Sequence, residues 1–416
     1  MVQLTSDIKA FKNKLISLKS AQNTIIKSIN NKLVLDNINV LNSLDRIIAK
    51  SIIANINVPP YSNSAVDGYA FKFSDLKLNK LGSFNLIGKS KAGAPYKKSL
   101  KANDIVRVLT GAIIPINADT VIMEEDCIIK DKIIYVSKNI KKGSNYRLYG
   151  EDIKKGSKVF DIGHKIRPQD VGILSSLGIK KIPVFKKITV SIFSCGDELV
   201  DAKNNNISYG KIFDSNKSML ISFLKKLNVN IVDLGIIKDN KDKIIKTFNK
   251  ASKKSDLIIS SGAMSLGDED HIKKIIEDLG ELKIWRLAIK PGRPIGFGNF
   301  KKTTFLGLPG NPGAAFVTFL ILGIPIINKI SGQKIKKPIV YKIPVSFYHK
   351  KKSGRREFLR VKIDINKNIL YKYPKSGAGI LRSTSWANGL GIINEDITNV
   401  KPNDKILFIS YNELLT

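Results

Sequence analysis

Five loops between residues 197 and 315 carry residue types suited to anions and a divalent metal. SSGAMSLGDED (260–270) sets Ser261, Gly262, Ser265 and Gly267 just ahead of an expected helix. Backbone N–H groups there, with the positive end of the helix, can face a phosphate. An ordinary turn capped by Ser and Asp is the alternative. The trio Asp268, Glu269 and Asp270, suited to Mg2+, follows directly and favours the anion site. The loop is not a Walker loop, since G-x-x-x-x-G-K-[ST] is absent. KPGRP (290–294) offers Lys290 as a point charge and Arg293 as a planar fork, with Gly292 allowing close approach and Pro291 and Pro294 stiffening the frame. Taken alone, it also fits a basic surface turn. LPGNPGAA (308–315) places Pro309, Gly310, Asn311 and Pro312 where a strand gives way to a helix, leaving N–H groups unpaired. Asp197–Glu198 follows one expected strand and Asp239 the next. A cap explains each singly; as a set with Asp270 they would converge on one crevice.

The first half has polar turns of less specific type: Asp67 beside Gly68 in PPYSNSAVDGYA (59–70), Thr110–Gly111 in RVLTGAIIP (107–115), and Arg147 with Glu151 and Asp152 in NYRLYGED (145–152). There is no G-x-S-x-G elbow and no Cys–His pairing, which excludes acyl-enzyme chemistry. Cys127 and Cys195 are too few for a disulfide framework or zinc ribbon, and His164, His271 and His349 share no metal spacing. The residues alone support phosphoanhydride cleavage or transfer, without naming a substrate.

These loops need elements to hold them. After Pro183, apolar strands at 188–194, 230–237 and 256–262 alternate with helices from about Ser215 and at 270–279, and a long apolar helix starts at Pro312. That alternation predicts a parallel sheet covered on both faces, with ligands beyond the carboxyl ends of its strands. Before it, residues 59–149 read as a small β-rich unit with strands in YAFKF, FNLIG, DIVRVL, TVIMEE and KIIYV. Beyond Pro338 strands return in IVYKIPVSFY, EFLRVKID, NILYKY and DKILFIS. Segments 31–58 and 150–184 read as an extended arm, the latter with a short helix after Pro168. Residues 7–30 have a helical period with Ile8, Phe11, Leu15 and Leu18 on one face. The expected domains are therefore 1–30, 31–58 with 150–184, 59–149, 185–336 and 337–416: a multi-domain α/β and β chain.

With 416 residues and 43% hydrophobic content, the chain can bury several cores. Lys+Arg 70 against Asp+Glu 35 leaves +35, but the lysines are spread along the chain among abundant Ile and Asn. No RNP-like segment, zinc finger or basic heptad array accompanies them, so nucleic-acid binding is not expected. The N-terminal stretch has Asp7 and no signal-type apolar region, and the apolar run Ala314 to Ile327 reads as too short to span a bilayer; a cytoplasmic protein is expected.

In order, SNSAVDGYA, RVLTGAIIP with ADTVIMEED, NYRLYGEDI, FSCGDEL, SGAMSLGDED, LAIKPGRPIGFG and LPGNPGAAF resemble the molybdopterin molybdenumtransferases, the molybdenum insertases related to the C-terminal domain of gephyrin. The likeness covers nearly the whole chain. It implies insertion of molybdenum from molybdate into adenylylated molybdopterin, with Mg2+-dependent release of AMP. It implies an elongated homodimer with an arm, a β-rich insert, a molybdopterin-binding α/β domain and a C-terminal β barrel-like domain. The N-terminal helix would then pack on the α/β domain. Molybdopterin adenylyltransferase and molybdoenzyme apoproteins or chaperones become conceivable partners. By matching position, Asp67, Thr110, Glu198, Asp239, Asp270 and Lys290 take the catalytic places, with Glu198, Asp239 and Asp270 around the metal. Arg147, Arg286, Arg293, Pro294, Pro309, Pro312, Arg355 and Arg360 match substrate or oxyanion positions, and the same likeness adds Ser376 or Ser383. Arg286 and Arg293 stand where many members have Lys, Ala314 where many have Ser, and Leu148–Tyr149 where many continue with Arg. The rival readings are an adenylyltransferase, which resembles the α/β domain alone and lacks the 60–150 insertion, and a gephyrin-like scaffold or carrier.

Overall fold

The computed structural model describes residues 15–30, 33–79, 81–204, 206–262 and 271–415. Its largest sheet runs in the order Asn230–Ile237, Thr189–Cys195, Leu257–Ser261, Thr303–Leu308, Pro294–Phe300, Gly280–Arg286. The first four strands are parallel neighbours. The expected all-parallel sheet is corrected at the other edge, where Pro294–Phe300 runs antiparallel to both of its neighbours. A parallel neighbour needs a crossover of about a dozen residues. Residues 287–293 and 301–302 are too short for one, so the chain turns back on itself there.

Two cores cover this sheet. On one face lie the helices Ser215–Lys226 and Pro312–Ile330, joined by the helix Leu18–Ser28 through Leu18, Ala21 and Ile25. Ser17 starts that N-terminal helix by accepting the Ser20 N–H at 3.1 Å. Leu15 precedes the helix, and Ile8 and Phe11 lie outside the described residues. On the opposite face, the helices Lys241–Ser252 and His271–Leu279 bury Phe248, Ile272 and Ile276 against Phe193, Phe300 and Phe305. Each fully buried Phe stabilises the fold by roughly 2–3 kcal/mol.

The run at 314–327 belongs to a continuous helix of 19 residues, Pro312–Ile330, with a π segment at Phe319–Gly323. By length and composition it could cross a membrane, contrary to the expectation above, but 83% of it is buried inside the protein.

Residues 68–136 form a second six-stranded sheet, in the order Thr120–Met123, Gly68–Phe71, Asp104–Val108, Ser83–Ser90, Ile133–Val136, Cys127–Lys130, with its own cores. The strand Cys127–Lys130 was not expected. The chain enters and leaves this unit through paired segments: Val58 and Ile153 exchange backbone hydrogen bonds of 2.8 and 3.1 Å. Below that bridge, Ile52–Ile53 pairs with Lys158–Phe160, and Leu35–Asn39 with Lys181–Phe185. The third six-stranded sheet gathers Tyr341–Pro344, Arg356–Asp364, Ile369–Lys372, Gly389–Ile393 and Lys405–Ser410, and takes its sixth strand, Ile289–Lys290, from the loop beside the large sheet. Phe358, Leu390, Ile392 and Ile409 bury its inner face in the same core as the long helix.

Candidate active site

The strand order of the large sheet reverses between Thr189–Cys195 and Leu257–Ser261, whose neighbours lead off in opposite directions. Ligands of open α/β sheets bind at such a switch point, outside the carboxyl ends. The loops there are in backbone contact. Gly262 has φ +83°, and a Cβ on it would stand 2.3 Å from the Cys195 carbonyl oxygen, so only glycine fits. Its N–H donates to Leu308 O at 3.2 Å. Asn216, in the first turn of the helix Ser215–Lys226, donates from Nδ2 to Ser261 Oγ at 2.9 Å and to Gly310 O at 2.7 Å, tying the 261 and 310 loops together. Asp214 caps the same helix by accepting the Lys217 N–H at 3.0 Å. Among the described residues, four buried oxygens at this edge, Ser194 Oγ, Ser260 Oγ, Asp214 Oδ2 and Asn216 Oδ1, have no hydrogen-bond partner. Buried polar atoms are nearly always paired, so such a concentration marks a site that water or ligand completes.

Glu198 and Asp239 follow adjacent strands, and both are exposed. The Asp239 N–H donates to Asp197 Oδ1 at 3.3 Å, so these two strand-end loops also meet. Among the described residues no cation pairs with Glu198 or Asp239, and no group of three or more His, Cys, Asp or Glu could hold a metal. Asp270, Ser265 and Gly267 lie outside the described residues. Two exposed carboxylates with no cation partner among the described residues fit a Mg2+ site, because Mg2+ is commonly held by one or two carboxylates with substrate phosphates and water.

The cationic loop lies at the same edge. Arg286 ends one strand and is in register with Pro294, which begins the next. Leu287 N–H donates to Arg293 O at 2.9 Å, closing the loop. Gly292, with φ +97°, sits where a Cβ would be 2.2 Å from Thr318 Cγ2, so the backbone presses onto the long helix. The Nε atoms of Arg286 and Arg293 are buried without partners among the described residues. The Lys290 Nζ is 2.6 Å from Glu357 Oε1 in the C-terminal sheet. Pro309 is buried, Gly310 and Asn311 are exposed, and Pro312 opens the helix. Ala314 is buried and its carbonyl accepts the Thr318 hydroxyl at 2.8 Å.

The C-terminal residues divide. Arg360 is buried and donates to Ser383 Oγ at 3.0 Å and Gly377 O at 2.8 Å, so both partners brace the 377–383 loop. That loop docks on the helix at Pro312 through Gly313 N–H to Ala378 O at 2.8 Å. Ser376 is exposed, and Arg355 is half-buried with its carbonyl accepting Lys351 Nζ at 2.9 Å. Asp67 and Thr110 meet in the insert: the Thr110 N–H and Oγ1 both donate to Asp67 Oδ1 at 2.7 Å. Those donors hold the Asp67 carboxyl below its ordinary value. Arg147 is exposed on a two-residue strand paired with Asn63–Ser64. Among the described residues, the cores of the insert contain no residue of the large sheet.

Sequence reasoning missed Asn216, Asp214, Ser194, Ser260, Glu357 and His349. The signal for Asn216 was present: D-S-N-K opens a helix on a strand-end loop, where a polar side chain at the second helical position can reach across.

An open α/β sheet with an anion-ready switch point, flanked by an inserted β unit and a C-terminal β unit, defines a nucleotide- or pterin-handling enzyme class. Comparison with known proteins sharpens this. Residues 16–178 match the model of the MoeA N-terminal region (domain I and II), residues 191–329 that of a probable molybdopterin binding domain, and residues 342–411 that of the MoeA C-terminal region (domain IV). The molybdopterin molybdenumtransferase of Haemophilus influenzae is 34% identical over 96% of this chain and 100% of its own length. Gephyrin of Dictyostelium discoideum is 33% identical over 74% of this chain and 48% of its own. The molybdopterin biosynthesis moeA protein from Pyrococcus horikoshii superposes with a TM-score of 0.84 at 28% identity, covering 96% of this chain and 100% of that one. The chain belongs to the molybdopterin molybdenumtransferase family, transferases of molybdenum cofactor biosynthesis.

Proposed function

We propose that this enzyme transfers molybdenum from molybdate to adenylylated molybdopterin, releasing AMP in a Mg2+-dependent step. The observation that carries this reading is the placement, along one edge of the same sheet, of two exposed carboxylates (Glu198, Asp239) and a fixed cationic loop (Arg286, Lys290, Arg293). The reaction brings together a phosphoanhydride and a tetrahedral dianion, so it needs both kinds of group. Glu198 and Asp239, with Asp270, would hold Mg2+, which when bound withdraws charge from the phosphoanhydride. The Ser261 hydroxyl and the N–H groups of Gly310 and Asn311 receive phosphate oxygens, with Asn216 setting the spacing of their loops. Arg293 and Arg286 offer planar forks, and Lys290 a point charge, to the oxyanion near the pterin sulfurs. Asp67, Thr110 and Arg147 would enter the site from the insert of a second subunit, in a homodimer. Family membership supports that assembly, as does the insert's having cores of its own among the described residues.

The test is AMP release by the purified protein with adenylylated molybdopterin, Mg2+ and molybdate, each omitted in turn. Release that requires Mg2+ and molybdate, with molybdenum retained on the pterin, is the expected result. Tight binding without release would overturn it and favour a carrier or scaffold.

A further inference from the structure

Glu357 is a buried carboxylate, 3% exposed, on the first part of the strand Arg356–Asp364. Its two oxygens are used separately: Oε1 lies 2.6 Å from Lys290 Nζ and Oε2 lies 2.8 Å from His349 Nε2. A carboxylate seldom stays in such a place unless paired. The contact is also built into the backbone. Ile289–Lys290 lies parallel to Arg356–Glu357 with Lys290 opposite Glu357, and the Arg356 N–H donates to Ala288 O at 2.8 Å. The loop then continues into Pro291 and Gly292, both buried, with Gly292 pressed onto Thr318. Lys290 thus leaves a fixed backbone, its side chain is 54% exposed, and its ammonium is held at one point. An ammonium has three N–H donors. One is occupied by Glu357, and two remain for an anion at the sheet edge.

We propose that Glu357 is a positioning residue of the oxyanion site: from the C-terminal unit it holds the Lys290 ammonium in place at the carboxyl edge of the large sheet, and so sets the affinity for molybdate. The proposal rests on the reading of Lys290 as an oxyanion contact. Without the carboxylate, a half-exposed lysine spreads over many rotamers, and ordering it again opposes binding. Repulsion between Glu357 and the incoming dianion is the opposing effect. It is weak, because both carboxylate oxygens already accept hydrogen bonds, one of them from the cation itself.

The test is a double-mutant cycle in the full-length enzyme, with Glu357→Gln, Lys290→Ala and the pair, reading KM for molybdate and kcat for AMP release. Positioning predicts that E357Q raises the molybdate KM about tenfold with kcat little changed, that K290A raises it at least as much, and that the pair matches K290A alone. A residue that merely supports the fold gives multiplicative effects or an equal loss in kcat, and either result overturns the proposal. An unchanged KM in E357Q overturns it as well, while leaving Lys290 in its assigned place. An unchanged KM in K290A instead overturns both the Lys290 assignment and the role of Glu357. Should E357Q not fold, Glu357→Asp keeps the charge, withdraws it by one methylene and carries the same expectations.

Discussion

The turn at Asp67 and the junction at Glu357 each hold a carboxylate below its ordinary pKa, by different physics. Asp67 is exposed, and the Thr110 backbone and hydroxyl donors stabilise its charge with little desolvation to oppose them. Glu357 is desolvated, which raises its pKa, and the hydrogen bonds from His349 and Lys290 overcome that and bring it to about 2. The first is a local turn complete within the insert; the second is a tie between two units of the chain. A satisfied exposed turn can be altered with little effect on the fold, whereas a buried tie cannot. Function at Asp67 should therefore show in rates, and function at the junction in both rates and stability.

The sharpest break is at the crevice that the junction serves. Gly262→Val places side-chain atoms against the Cys195 carbonyl in a left-handed backbone, and should cost about 4 kcal/mol. Thermal unfolding reads this directly; a melting temperature equal to the parent's would show that the loops yield. The next effect is acid sensitivity at Glu357. Its folded pKa is depressed, so its contribution, roughly 3 kcal/mol, is fully present above the unfolded value near 4.5 and is lost as pH falls towards about 2. Denaturant titrations of the parent and Glu357→Gln should differ at pH 6, differ less at pH 3 and converge towards pH 2. A constant gap would assign the effect to packing rather than charge. Asp67→Asn keeps the shape of the turn and removes its charge. It should leave the melting temperature unchanged while AMP release falls on the order of tenfold or more. Full turnover would remove the insert from the chemistry. The smallest effect belongs to Thr110→Val, which deletes the hydroxyl bond and keeps the backbone bond. A twofold to threefold change, about one weak hydrogen bond, is expected, and a larger one would show that the hydroxyl itself meets substrate.

What the sequence made legible follows the range of the interactions. Alternation of apolar strands with helices located Asn230–Ile237 to the residue, and it marked the strand ends where Glu198, Gly262 and Gly310 stand. Local spacing did not show that Pro294–Phe300 runs backwards, because reversal depends on two short connections rather than on the strand's own residues. It also missed Gly389–Ile393, where Gly389 and Gly391 leave room for Phe408, Ile406 and Val361; glycine weakens a strand signal precisely where neighbouring side chains fill the space. The partners of Lys290 were out of reach because Glu357 and His349 belong to another unit, and a single histidine near a basic run carries no spacing signal. Arg360 was named with Arg355 in one motif and Ser383 only as an alternative to Ser376; the bond between Arg360 and Ser383 depends on the packing of the 377–383 loop against the long helix.

The doubled hydrogen bond between Val58 and Ile153 has a consequence for how this chain can change over time. The insert hangs from a stalk whose two sides are already paired, and everything beyond that rung is a closed excursion. Residues can be gained or lost there without shifting the register of the arm below it. Evolution, or an engineer, is therefore free to reshape the far end of the molecule while the stalk delivers it to the same address.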